Sequence, residues 1–168
     1  MSLAGLAAAA YATSAVLRLR AEETGGQAEP LLATAIGRTR WALSHIAVAV
    51  VGTAVLLAVA GVAAGLGYGL RTGSAGPEVA RLLGAGMAQL PASLAVAGAA
   101  VVLFGLLPRA SVAGAWTVVG VLVLIALFGQ VLQLSQPILD VSPFTHVPKL
   151  PGAAVTGKPL LWLSLVVV

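Results

Sequence analysis

The sequence predicts an all-α, polytopic integral membrane helix bundle of about four to five spans, and three observations point there. Of its 168 residues, 60% are hydrophobic and 8% are charged, whereas a soluble domain carries about a quarter charged residues. Its mean hydropathy is +1.05. The apolar residues lie in blocks rather than alternating: Leu3 to Leu17, Trp41 to Leu70, Leu82 to Pro108, Ala110 to Leu139 and Pro159 to Val168 contain no Asp, Glu, Lys or Arg. The three longest blocks exceed the roughly 20 residues with which a helix crosses ~30 Å of hydrocarbon.

Each segment has its own signature. Leu3 to Leu17 lacks the basic start and the A-x-A-type site of a signal peptide. At ~1.5 Å per residue this block reaches about 22 Å, short of the hydrocarbon core. Pro159 to Val168 is shorter still and has no polar flank at its end, where the last carbonyls of a helix would lie unsatisfied in lipid. Both features are expected of a piece of a longer polypeptide, forming a single transmembrane domain over residues 1–168. Between the first two blocks, residues 18–40 hold four Arg and three Glu and are assigned to a loop. Within it, Glu29-Pro30 reads as a helix start, since an acidic residue suits the N-terminal dipole and Pro is tolerated in the first turn. Leu31, Leu32, Ala35 and Ile36 then recur at helical spacing up to Gly37, an amphipathic helix for a membrane surface or a partner.

Trp41 to Leu70 is long enough for one tilted span but not two, with Trp41 at the interfacial belt. Gly61, Gly65 and Gly69 make two consecutive G-x-x-x-G steps, which permit close helix approach. The alternative is chance, because the chain has 20 glycines. Arg71 to Arg81 reads as a short polar turn. Pro91 interrupts the next block: the part with Gln89 is assigned to the interface, and Ala92 to Leu107 to the membrane. After a tight turn at Arg109, Trp116 to Leu134 is the cleanest span. Residues 135–158 are different again. Pro137, Pro143, Pro148 and Pro151, with Pro159 at the boundary, forbid a continuous helix. Ile138, Leu139, Val141, Phe144, Val147 and Leu150 are nevertheless apolar, which predicts an external re-entrant segment resting on the membrane.

Much chemistry is excluded. The net charge of +4 comes from scattered residues with no basic patch interleaved with aromatics, so no nucleic acid is expected. There is no cysteine, which removes disulfides and thiolate metal sites. His45 and His146 have no evident partners, and no metal is assigned. No G-x-x-x-x-G-K-[ST], H-E-x-x-H or G-x-S-x-G occurs, so the chain is not expected to be an enzyme or to hold ATP itself. The predicted spans carry no carboxylate, which argues against a proton- or ion-coupled carrier. Placing residues 18–40 and Arg109 inside gives five basic residues there against four outside (Arg71, Arg81, Lys149, Lys158). The four that cluster in one loop place that loop in the cytoplasm.

One polar constellation remains: Arg20, Glu22, Glu23, Gly25, Glu29, Leu31, Leu32, Thr34 and Arg38. Paired acids, a glycine break and a helix with Leu-Leu on one face suit docking into a groove on another protein. A solvated connector is the alternative. The segment resembles the cytoplasmic coupling region of ABC exporter permeases of the antibiotic and polysaccharide class. There an acid, a glycine and a second acid precede a Leu-Leu-x-Thr-Pro-x-x-Arg-like stretch. Glu23, Gly25, Glu29, Leu31, Leu32, Thr34 and Arg38 match those positions, and Ala35 replaces the family's proline. The run Ser142, Pro143, Phe144, His146, Pro148 and Pro151 is similar to the external segment before the last span in actinobacterial exporters of polyketide antibiotics. The resemblance implies the second to fifth spans of a six-helix unit and the start of the sixth, in the C-terminal half of a two-unit permease. It further implies a bacterial plasma-membrane location, an ABC ATPase partner carrying ATP and Mg, a second permease half, and an amphipathic compound as cargo. The rival expectations are a membrane scaffold that transports nothing and a fragment of an ion-coupled secondary transporter with broken helices.

Overall fold

The computed structural model describes residues 2–25, 38–107, 110–128 and 144. They form α1 (Ser2–Thr24), α2 (Arg38–Thr72), α3 (Ala75–Met87), α4 (Leu90–Leu106) and α5 (Ser111–Phe128), with no strand among the described residues. Three helical stretches are long and apolar enough to cross a membrane: Arg40–Thr72, Ala75–Leu103 and Ser111–Phe128. The second of these combines α3 and α4.

The elements depart from the sequence reading where local chemistry reaches further than hydropathy. α1 continues through Arg18 to Thr24, and Arg38 already belongs to α2. The segment expected as a loop over 18–40 is therefore helical at both ends. The polar turn expected over Arg71 to Arg81 shrinks to Gly73 and Ser74. Gly73 takes a positive φ of 72°, and the Ser74 amide donates to the Gly69 carbonyl at 3.0 Å. This left-handed C-terminal closure favours glycine because it lacks a Cβ. α3 starts immediately afterwards, since Pro77 in its first turn forfeits no intrahelical bond. Glu78 in that turn pairs with Arg81 at 3.4 Å.

α2 and α3 lie antiparallel, and their contact is backbone on backbone. A Cβ added to Gly61 would sit 2.8 Å from the Leu82 carbonyl oxygen, and one on Gly65 would sit 2.5 Å from the Val79 Cα. Gly69 meets Ala75 in the same way, and Gly86 of α3 returns the contact against the Leu57 carbonyl at 2.8 Å. Lipid supplies no hydrophobic drive between apolar helices, so such close approach is what holds them together.

The helix is interrupted at Ala88–Gln89, although both residues keep right-handed dihedrals. Pro91 has no N–H to offer the Met87 carbonyl. The Gln89 amide bonds the Gly86 carbonyl at 2.9 Å, a tighter turn than the α-helical one. At this joint the chain changes neighbours: α3 packs on α2, whereas α4 packs chiefly on α1. α1 is accordingly the centre of the bundle. Leu6 and Ala9 pack with Val96, Val119 and Leu122, while Ala12, Ala15 and Val16 pack with Ala49 and Ala97. Leu17 closes the third cluster with Ala100 and Ala115. Outward, Val48, Val51, Val55 and Val59 of α2 and Val121, Leu124 and Phe128 of α5 are exposed. Valine and leucine stripes of this kind suit a hydrocarbon surrounding rather than water.

The close seam yields a sharp contrast. Gly65→Leu is expected to lower stability by about 1–3 kcal/mol through overpacking against backbone that cannot yield. Gly67 has nothing within 4 Å of an added Cβ, so Gly67→Ala is expected to be neutral or stabilising. Thermal unfolding in detergent compares the two, and equal melting temperatures would refute the seam.

Candidate functional site

Two clusters of polar and aromatic side chains mark the two ends of α1, with an apolar groove between them. Glu22 lies in the last turns of α1 and His45 in the second turn of α2. The His45 Nε2 and Glu22 Oε2 are 3.1 Å apart, with side chains 21% and 31% exposed. Trp41, one turn before His45, meets its ring edge-on at a centroid distance of 5.3 Å. The Trp41 indole Nε1 is buried with no hydrogen-bond partner among the described residues. The Ser44 hydroxyl donates to the Trp41 carbonyl at 2.6 Å and keeps that turn closed.

This cluster borders the expected coupling segment. Arg20, Glu22 and Glu23 lie on the last turns of α1, Gly25 follows with its amide on the Ala21 carbonyl at 2.9 Å, and Arg38 opens α2. Glu29, Leu31, Leu32 and Thr34, with the amphipathic helix expected around them, lie outside the described residues. The structure adds His45 and Trp41, and it gives His45 the partner that the sequence did not reveal. The signal was thin: an isolated imidazole four residues after a tryptophan, 23 positions from a carboxylate that only the helical return brings near.

At the other end of α1, Gly5 meets the α3–α4 joint. The Ser93 hydroxyl lies 3.0 Å from the Gly5 carbonyl and 3.1 Å from the Gln89 carbonyl, and donates there. Gln89, assigned from the sequence to an interface, is only 7% exposed, and its Oε1 has no partner among the described residues. A Cβ on Gly5 would meet both this oxygen at 2.7 Å and the Phe144 ring at 3.0 Å. Phe144 packs against the Leu6, Ala9, Val96, Val119 and Leu122 cluster. Ser142, Pro143, His146, Pro148 and Pro151 of the same expected external segment lie outside the described residues. Gly5 and Glu22 are 17 residues apart in one helix, about 25 Å at 1.5 Å per residue. Phe144 and the Glu22–His45 pair therefore sit at opposite ends of the bundle.

The groove follows from the change of neighbours at Gln89. α3 stays on α2, α4 leaves it for α1, and a space of about 720 Å³ opens between α2 and α4. Val16 of α1, Ile46, Ala49 and Val50 of α2, residues of α4 between Leu94 and Leu103 other than Val96 and Ala100, and Val118 of α5 line it. None of the lining side chains carries a charge or a hydrogen-bonding group. The volume falls in the range of small-molecule pockets. The Thr53 hydroxyl of α2 is satisfied within its own helix by the Ala49 carbonyl at 2.6 Å. Among the described residues no group of three His, Cys, Asp or Glu could hold a metal ion.

One buried group stands apart. The Thr13 hydroxyl is fully enclosed in α1 with no partner among the described residues. Thr13→Val, which removes an unsatisfied oxygen at constant shape, is expected to stabilise the fold by about 1 kcal/mol. Ser93→Ala, which breaks the α1–α4 bond, is expected to destabilise it by about as much. Chemical or thermal denaturation of the two variants gives shifts of opposite sign if both assignments hold.

The family model described as "Multidrug efflux system permease Rv1217c, C-terminal domain" matches residues 1–168. The multidrug efflux system permease protein Rv1217c of Mycobacterium tuberculosis (strain ATCC 25618 / H37Rv) is 43% identical over 162 residues, which is 96% of this chain. The chain spans 29% of that relative's length. A match along the whole chain at that identity establishes kinship beyond fold, and the chain belongs to the family of multidrug efflux permease C-terminal domains.

Proposed function

We propose that the chain is part of the membrane-spanning permease of an ATP-driven ABC exporter, moving amphipathic, antibiotic- or polyketide-like compounds out of a bacterial cell. Family membership along the full chain carries this reading, and a relative named for multidrug efflux supports its direction. A separate ATPase subunit binds ATP and Mg, closes, and acts on the segment between α1 and α2 from the cytoplasmic side. Energy thus reaches the permease through a protein contact. A second permease half, in the same or another chain, completes the pathway.

The residues fit these roles as follows. Arg20, Glu23, Glu29 and Arg38 offer charges that set the register of docking, and Leu31 and Leu32 supply area to bury against the ATPase. The groove between α2 and α4 offers the cargo only apolar contact, which favours compounds already dissolved in lipid and selects by shape more than by hydrogen bonding. Phe144 lies at the far end, which puts it on the exit side in this reading.

Export and ATP hydrolysis in membrane vesicles containing the full-length permease and its ATPase test the reading. Glu23→Lys and Glu29→Lys are expected to abolish ATP-dependent efflux while leaving membrane insertion unchanged. Unaltered efflux in both variants would defeat the coupling role. Efflux that follows an ion gradient rather than ATP would identify a secondary transporter, and the absence of a co-purifying ATPase together with absent efflux would identify a scaffold.

A further inference from the structure

Apolar contacts fix how closely two helices approach, but they are non-directional and leave sliding cheap. α1 and α2 meet mainly in this way, through Ala12, Ala15 and Val16 against Ala49 and through the Tyr11 ring over Gly52. Their facing ends carry a contact of another kind. Glu22 Oε2 and His45 Nε2 lie 3.1 Å apart and are partly shielded from solvent, and such a bond is directional and stronger than one in open water. A neutral imidazole can donate the same bond through its Nε2–H, so the link does not require a charged histidine. Trp41 packs edge-on against the imidazole and holds its orientation.

We propose that Glu22 and His45 are positioning residues that make the ends of α1 and α2 move as one body. This inference rests on the reading above, in which the ATPase acts on the segment those ends bound. Glu22 then serves a different purpose from Glu23 and Glu29: it is engaged inside the permease by His45. The linked ends pass a displacement along two routes. α2 carries α3 with it through the Gly61, Gly65 and Gly69 contacts. α1 carries α4 through the bond from Ser93 to the Gly5 carbonyl. Both walls of the groove respond to one push, whereas with the pair broken α1 and α2 slide past one another and hydrolysis proceeds without transport.

The test uses the full-length permease with its ATPase in vesicles, with Nile red as the neutral apolar probe, and reads dye flux per ATP hydrolysed. Glu22→Ala and His45→Ala are each expected to lower that ratio by about fivefold or more, with ATP hydrolysis retained. The exchange Glu22→His with His45→Glu is expected to restore most of it, and His45→Gln, whose amide can still donate to the carboxylate, to keep most of it. As a second measurement, Glu22→Cys with His45→Cys in a cysteine-free background is bridged with a short bifunctional thiol reagent, and flux is expected to survive bridging. Wild-type ratios in the single variants, an exchange no better than the single variants, or loss of flux on bridging would each overturn the proposal. Wild-type flux that does not depend on ATP would instead overturn the function proposed above, and this inference with it.

Discussion

Helices in hydrocarbon gain nothing by hiding leucine from lipid, so the arrangement of this bundle depends on how closely backbones can approach. The sequence meets that constraint with glycine and alanine placed where helices cross. Gly61, Gly65, Gly69 and Gly86 let α2 and α3 touch main chain to main chain. Ala8, Ala12 and Ala97 are the small side chains buried around α1. On α2 a stripe of larger side chains, Val48, Val51, Val55 and Val59, is left exposed. A soluble bundle would have the opposite distribution, because water rewards burial of large apolar groups.

The second determinant is the interruption at Ala88–Gln89. Without it, one antiparallel helix would continue along α2 to the membrane's other face. Pro91 withholds an amide from the preceding turn, and the chain beyond it transfers to α1. The groove is the geometric result: two long helices joined at one end and parted at the other, with α1 filling only part of the gap. Its apolar walls carry no hydrogen-bonding demand, so an apolar occupant would leave no wall group unpaired.

The polar contacts that α1 makes with other elements lie at its two ends. The Glu22–His45 pair holds the end beside residues 26–37, and Ser93 with Gln89 ties the other end to the α3–α4 joint. This placement is what a low-dielectric surrounding imposes, since a carboxylate or imidazole deep in lipid is costly. The residues between them belong to one uninterrupted helix, which fixes the spacing of the two ends.

Hydropathy and composition alone determined that the chain spans a membrane, that its elements are helices, and that a long one runs from about Trp41 to Leu70. Such properties follow from residue chemistry summed over a window, with no knowledge of neighbours. The glycine spacing on α2 was equally visible, but not which helix it would meet. The extension of α1 through its charged turn, the two-residue turn at Gly73, the burial of Gln89 and the pairing of Glu22 with His45 were decided by tertiary structure. Each depends on a partner far along the chain or on a backbone closure rather than on average polarity. Window chemistry says which medium a segment prefers, and only the packed helices say which groups come within bonding distance.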